Sequence, residues 1–257
     1  MTVRSDFTSK LRAGEMLLGM WMTIPHPSIA EVLAQSGLDF LLIDGEHSPI
    51  PPEVLGTLLP CTELHKMPVI YRVSGNRTEL IKCALDHGVT SLMIPMVNTT
   101  IQAKDVVSAS KYPPMGTRGF GAWRASNFYL DASGYLKTAN SETPIVVQIE
   151  TTEAVKLVDE IAATPGLDAL FVGPYDLALS MGLTPGQLHP DLILACKKVV
   201  AAARRNGIAA GIDVANVDMA EQYRDMGFTL LTYGADISLL LNGSRDLERI
   251  LRLSVAS

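Results

Sequence analysis

Cysteine is scarce in this chain: Cys61, Cys83 and Cys196 are the only three in 257 residues, and each sits in a helical pattern. No CxxC pair and no His–Cys spacing of zinc type accompanies them, which excludes a disulfide framework and a thiolate zinc site and leaves buried, reduced thiols. Long apolar runs are missing as well. Gly, Pro or charge interrupts each one before membrane-spanning length, and the opening Met-Thr-Val-Arg-Ser-Asp-Phe lacks the apolar centre of a signal peptide. A soluble, cytoplasmic protein without a membrane partner is expected. Nor is there a basic stripe: the formal charge is -6 with Lys and Arg scattered, which argues against nucleic acid as a partner.

What the chain does have is alternation. Short apolar runs at 16-23, 39-45, 68-74, 91-97, 144-150, 167-173, 208-214 and 228-234 alternate with amphipathic segments such as 26-37, 78-88 and 216-227. Eight strand-helix units in a chain of this length predict an α/β fold with one domain over 1-257, a single (β/α)8 TIM barrel. Gly37, Gly88, Gly207 and Gly227 each precede a strand, where a left-handed helix stop is expected. Residues 113-143 break the rhythm, and so long a connection is expected to be functional or an interface element.

In such barrels the chemistry lies where strands end. This sequence places there Trp21, then Asp44, Glu46 and His47, then Tyr71 and Arg72, then Gln148 and Glu150, and finally Gly173, Pro174, Tyr175 and Asp176, with Asp213, Tyr233 and Asp236 beyond. Singly each has a plain structural reading: Asp44 as a helix cap, Arg72 as an ion-pair partner, Asp213 and Asp236 as solvated charges or N-caps, Trp21 as core. Together they form the pattern of metal-assisted chemistry on a small anion. Glu150 and Asp176 end neighbouring strands, roughly 5 Å apart in a parallel sheet, and their repulsion calls for a divalent cation. Hard oxygen ligands favour Mg2+ or Mn2+, with Co2+ a further candidate.

Lysine is absent from every strand end, so Schiff-base chemistry has no nucleophile and a metal must polarise any carbonyl. His47 is the best-placed proton carrier. His26 and His189 open helical segments and His65 and His87 lie near helix ends, which reads as capping or surface placement.

The segments 39-49 (Asp-Phe-Leu-Leu-Ile-Asp-Gly-Glu-His-Ser-Pro), 91-97, 112-119 (Tyr-Pro-Pro-Met-Gly-Thr-Arg-Gly), 148-150 (Gln-Ile-Glu) and 171-177 (Phe-Val-Gly-Pro-Tyr-Asp-Leu) resemble the HpcH/HpaI aldolase family over nearly the whole chain. The resemblance implies a phosphoenolpyruvate/pyruvate-type barrel and a metal-dependent class II aldolase. Such an enzyme cleaves 4-hydroxy-2-oxo acids or 2-keto-3-deoxy sugar acids reversibly to pyruvate and an aldehyde. It assigns the base to His47, enolate stabilisation to Arg72 and the metal carboxylates to Glu150 and Asp176. It places Gln148 and the backbone near Tyr175, with Gly173, Pro174 and Asp176, against the pyruvate portion, and the bulk of Tyr175 leaves the aldehyde specificity open. From their positions at the mouth, Asp44 and Trp21 are further candidate substrate contacts.

The resemblance also gives Asp86 the task of raising the histidine's basicity. From its place near a helix end, Asp86 would reach His47 only across a subunit boundary, the alternatives being Asp44 in that role or Asp86 as a surface residue. A homo-oligomer, a hexamer, follows. The leucine-rich 237-253 segment fits that assembly, although periodicity alone favours barrel cover, and it is Asp86 that tips the reading toward assembly. Two rivals stay open: an oxaloacetate decarboxylase using the same pyruvate-enolate site, and a noncatalytic keto-acid-binding barrel.

Overall fold

The alternation resolves into eight parallel strands: β1 (Leu17–Met22), β2 (Phe40–Asp44), β3 (Val69–Arg72), β4 (Ser91–Ile94), β5 (Ile145–Ile149), β6 (Ala169–Val172), β7 (Ala209–Val214) and β8 (Leu230–Ala235). They pair in chain order and β8 returns to β1, closing a (β/α)8 barrel. The computed structural model describes residues 2–255. All eight expected strands are present. The fourth stops at Ile94 rather than running to 97, because Met96 takes the left-handed region at φ 55° and turns the chain.

Period-two alternation divides the strand residues between two cores. Leu17, Phe40, Leu42, Ile70, Phe171 and Leu230 belong to the set that fills the barrel interior, and Phe7 and Leu11, one turn apart on the helix Val3–Ala13, join it. Gly19 and Gly211 make room there: a Cβ at either would strike the rings of Phe40 and Phe171 respectively. Each phenyl so buried contributes about 1.5–3 kcal/mol. The other strand face, with Leu41, Ile43, Tyr71 and Ile94, packs against the surrounding helices.

Helix ends follow the expected punctuation. His26 and His189 are N-caps whose rings accept backbone N–H groups, and Gly88 and Gly227 are left-handed C-caps. Gly37 and Gly207 also have positive φ, one or two residues beyond their helix caps.

Three expectations need correction. Only Cys196 is fully buried, while Cys61 and Cys83 are partly exposed, because their helices turn those positions toward the rim of the core. Asp236 is no solvated charge: it is 3% exposed and accepts from Thr23 and Ile24, tying the end of β1 to the C-terminal helix Asp236–Val255. That helix does not cover the barrel with its leucines. Leu239, Leu240, Leu241, Leu247, Ile250 and Leu253 are each at least half exposed.

Within 113–143 a helix forms over Ala132–Glu142, anchored by Asp131 as N-cap. Among the described residues no helix is long and apolar enough to cross a membrane.

Candidate active site

The apolar layers of the barrel end in a polar one at the C-terminal mouth, and Arg72 holds its centre. Asp44 and Arg72 are register partners on β2 and β3, so their inward side chains meet: Arg72 Nε donates to Asp44 Oδ1 at 2.9 Å. Nη1 lies 3.3 Å from Glu46 Oε2, and the guanidinium carbon sits 4.3 Å from the centroid of the Trp21 ring. The side chain is 9% exposed. Two carboxylates and an aromatic face therefore fix the fork, and among the described residues Nη2 donates to no protein group.

Asp44 has a second task. Its Oδ1 accepts the N–H groups of Glu46 and His47 at 2.9 and 3.2 Å, and the Ser48 hydroxyl donates to its carbonyl. This folds the loop after β2 back over the mouth. Burial pushes the Asp44 carboxyl up, but the hydrogen bond and charge of Arg72, with those two N–H groups, outweigh it and leave the carboxyl below its ordinary range. Asp44 is thus a loop cap rather than a helix cap, and it orients His47 through the backbone. The His47 ring stays two-thirds exposed, with Nε2 3.8 Å from Glu46 Oε2.

Glu150 follows β5, buried, and accepts the Met96 N–H at 2.6 Å. The left-handed turn at Met96 delivers that N–H. Burial pushes the Glu150 carboxyl up to about 7, and the like charges of Glu46 and Asp176 add to the rise against the Met96 hydrogen bond. Gly173 forms the wall: a Cβ there would stand 2.6 Å from Glu150 Oε2. Asp176 lies in the first turn of the helix Pro174–Ser180, beside the half-exposed Tyr175. Gln148 is buried two residues before Glu150, and one end of its amide, Oε1, has no partner.

These groups fit a hard divalent cation. Glu150 is buried and opposed as an anion. The exposed Asp176, which follows the end of β6 at Val172 rather than ending the strand, adds like charge to it, and a cation offsets that repulsion. Among the described residues no cluster of three or more His, Cys, Asp or Glu side chains forms a closed metal cage. Two protein ligands with the remaining positions left to water and substrate is the usual arrangement for Mg2+. Gly173→Ala should push Glu150 out of place and lower kcat/KM by about tenfold or more without unfolding the chain. Steady-state kinetics beside a thermal melt checks this.

Sequence reasoning missed Glu46, which it placed at the mouth without a role. Its spacing of two from Asp44 was the available signal. Burial pushes its carboxyl up while Arg72 and His47 pull it down. Asp213 is also drawn in: its Oδ1 accepts from Trp21 Nε1 at 2.8 Å and from Thr232 Oγ1 at 2.6 Å. Asp86 is not brought to His47 within the chain. It is buried on the helix Thr78–His87 and pairs with Arg118 at 2.7 Å, beneath the 113–143 segment.

Among the described residues Lys111 is the lysine with a strongly shifted amine, lowered chiefly by burial to about 8. It donates to the carbonyls of Asn140 and Thr143 just before β5 begins, at the end of the barrel opposite the mouth. Among the described residues no lysine contacts Arg72.

The model of the HpcH/HpaI aldolase/citrate lyase family matches residues 17–243. The chain belongs to that family. It is 37% identical to the hydroxypyruvate/pyruvate aldolase of Pseudomonas aeruginosa, over 94% of this chain and 90% of that protein. It is 38% identical to the 4-hydroxy-2-oxovalerate aldolase of Novosphingobium aromaticivorans, over 98% and 97%. The crystal structure of an HpcH/HpaI aldolase/citrate lyase family protein from Burkholderia cenocepacia superposes with a TM-score of 0.91 at 37% identity, covering 96% of this chain and 99% of that one. Membership bears out the expected pyruvate-aldolase class of carbon–carbon lyase and the resemblance carried by the 39-49, 112-119 and 171-177 segments.

Proposed function

We propose that this one-domain barrel is a metal-dependent class II aldolase that cleaves a 4-hydroxy-2-oxo acid or 2-keto-3-deoxy sugar acid, reversibly, to pyruvate and an aldehyde. The observation that carries the reading is the mouth layer: a buried arginine held with Nη2 uncommitted, next to a buried Glu150 whose anion is opposed by burial and by the like charges of Glu46 and Asp176. A divalent cation held by Glu150 and Asp176, Mg2+, Mn2+ or Co2+, would supply Lewis-acid polarisation of the keto group.

The chain's own residues supply the rest. Gln148, donating through its amide Nε2, and the backbone around Gly173, Pro174 and Tyr175 would seat the carboxylate and keto portion. As the C3–C4 bond breaks, negative charge collects on the C2 oxygen, and Arg72 Nη2 is the donor left to meet it. His47 takes the proton of the C4 hydroxyl as the aldehyde carbonyl forms, and that proton, or one exchanged with solvent at the exposed ring, is delivered to C3 of the enolate to give pyruvate. Tyr175 would bound the aldehyde side.

The test is pyruvate release from a panel of 4-hydroxy-2-oxo acids, with oxaloacetate as the rival substrate. Release that stops with chelator, returns with Mn2+ and leaves no borohydride-trapped lysine is expected. A trapped pyruvate adduct, on Lys111 or elsewhere, would overturn class II chemistry.

The protein is further read as a cytoplasmic homo-oligomer, a hexamer. Supporting this, the C-terminal helix and Leu18 on β1 expose apolar side chains, and so do Trp123, Phe128, Tyr129 and Leu130 of the long connection. Residues 127–129 hold positive φ in succession, a costly turn that presents these aromatics. Asp86, anchored by Arg118 beneath that connection, is assigned to a neighbour's His47. Light scattering should give six times the chain mass, and an active monomer at assay concentration would refute both assembly and shared site.

A further inference from the structure

The polar layer contains a bracket that neither the metal carboxylates nor the proton carrier needs. Trp21 Nε1 donates to Asp213 Oδ1 at 2.8 Å and approaches Thr232 Oγ1 at 3.1 Å, while Thr232 itself donates to the same Asp213 oxygen at 2.6 Å. Asp213 and Thr232 are register partners on β7 and β8, so the closed sheet fixes both acceptors against the indole edge. Phe171 meets the same indole edge-on, with centroids 6.5 Å apart and planes at 84°. Arg72 then lies over the ring face at 4.3 Å.

An indole that only filled the barrel would need no carboxylate. A neutral acceptor such as Thr232 satisfies one N–H, and placing a mostly enclosed carboxylate there as well is unfavourable in itself. What the carboxylate adds is direction. A charge-assisted hydrogen bond at Nε1 fixes the ring's rotation in its own plane and its depth in the barrel. The guanidinium stacked on that ring inherits the position, since Asp44 and Glu46 hold only its Nε and Nη1 edge.

We propose that Asp213 is a positioning residue that, by holding the Trp21 indole through Nε1, sets the plane on which Arg72 stacks and so the placement of its free donor at the enolate oxygen. This rests on the role assigned to Arg72 above. Three side chains on β7, β1 and β3 then act as one unit, and their substitutions should not add.

The experiment is a double-mutant cycle on the metal-loaded protein, with inhibition by oxalate, a planar dianion resembling the pyruvate enolate, as second readout. Asp213→Leu is expected to lower kcat by about tenfold with KM changed less than about threefold, and to raise the oxalate inhibition constant by a similar factor to the fall in kcat. Trp21→Phe keeps a ring under Arg72 but has no N–H, and should cost about as much. The double variant should be no worse than either single one, within about twofold. Asp213→Asn retains an acceptor for the indole and should recover most of the rate.

Additive losses in the double variant, or equal changes in kcat and KM with no change in oxalate inhibition, would overturn the proposal. If Asp213→Leu does not fold, Trp21→Phe against Asp213→Asn carries the same comparison, and native kcat in Trp21→Phe would refute it. An Arg72→Lys variant separates the two levels. Near-native activity there rejects the assigned role of Arg72, whereas a large loss there with a native Asp213→Leu rejects only the bracket.

Discussion

Arg72→Lys is expected to lower kcat/KM by about a hundredfold or more, the amount that loss of one donor to a developing oxyanion typically costs. The reason is geometric. Arg72 spends Nε on Asp44 at 2.9 Å, Nη1 on Glu46 at 3.3 Å and its flat face on Trp21 at 4.3 Å, and still retains Nη2. An ammonium is a point charge on a flexible stem and cannot make three such contacts while presenting a fourth. The same exchange at Arg77, an exposed residue paired with Glu79, should leave kinetics unchanged. Comparison of kcat/KM for the two variants checks this, and near-native activity of the Arg72 variant would rule out its assigned role.

A larger effect is expected at the carboxylates. Glu150→Gln and Asp176→Asn keep the shape of each side chain and remove its charge, and each should lower kcat/KM by about a thousandfold, about 4 kcal/mol. Stability should move the other way for Glu150. Its ionised form is opposed by burial and by the charges of Glu46 and Asp176, so the neutral amide should raise the melting temperature of the metal-free protein. Mn2+ should raise the melting temperature of the wild type and leave both variants unmoved. A Glu150→Gln protein that is less stable without metal, yet still stabilised by Mn2+, would contradict the site.

Much of this arrangement is legible in the chain because a barrel interior obeys period two. Once β5 is placed, Gln148 and Glu150 must lie on the inner side of its end, and Trp21, Asp44 and Arg72 follow from their own strands by the same count. The contributions that escaped depend on closure and loop shape. Asp213 gains its meaning only when β8 returns to β1 and brings Thr232 and Trp21 to it. Glu46 reaches Arg72 because Asp44 caps the loop between them, and the Met96 N–H reaches Glu150 through a left-handed turn that its sequence does not announce. Periodicity described the C-terminal helix correctly as amphipathic, yet it carries no information on which surface an apolar stripe covers. The lowered amine of Lys111 shows the converse: burial, helped by the nearby charges of Arg12, Arg118 and Arg4, shifts it at the wrong end of the barrel for the chemistry.

Anomalous diffraction from crystals grown with Mn2+ tests the central claim most directly. One peak bridging the carboxylates of Glu150 and Asp176, within reach of Arg72, is the result predicted; a peak bound by other residues, with those two carboxylates unliganded, would contradict it.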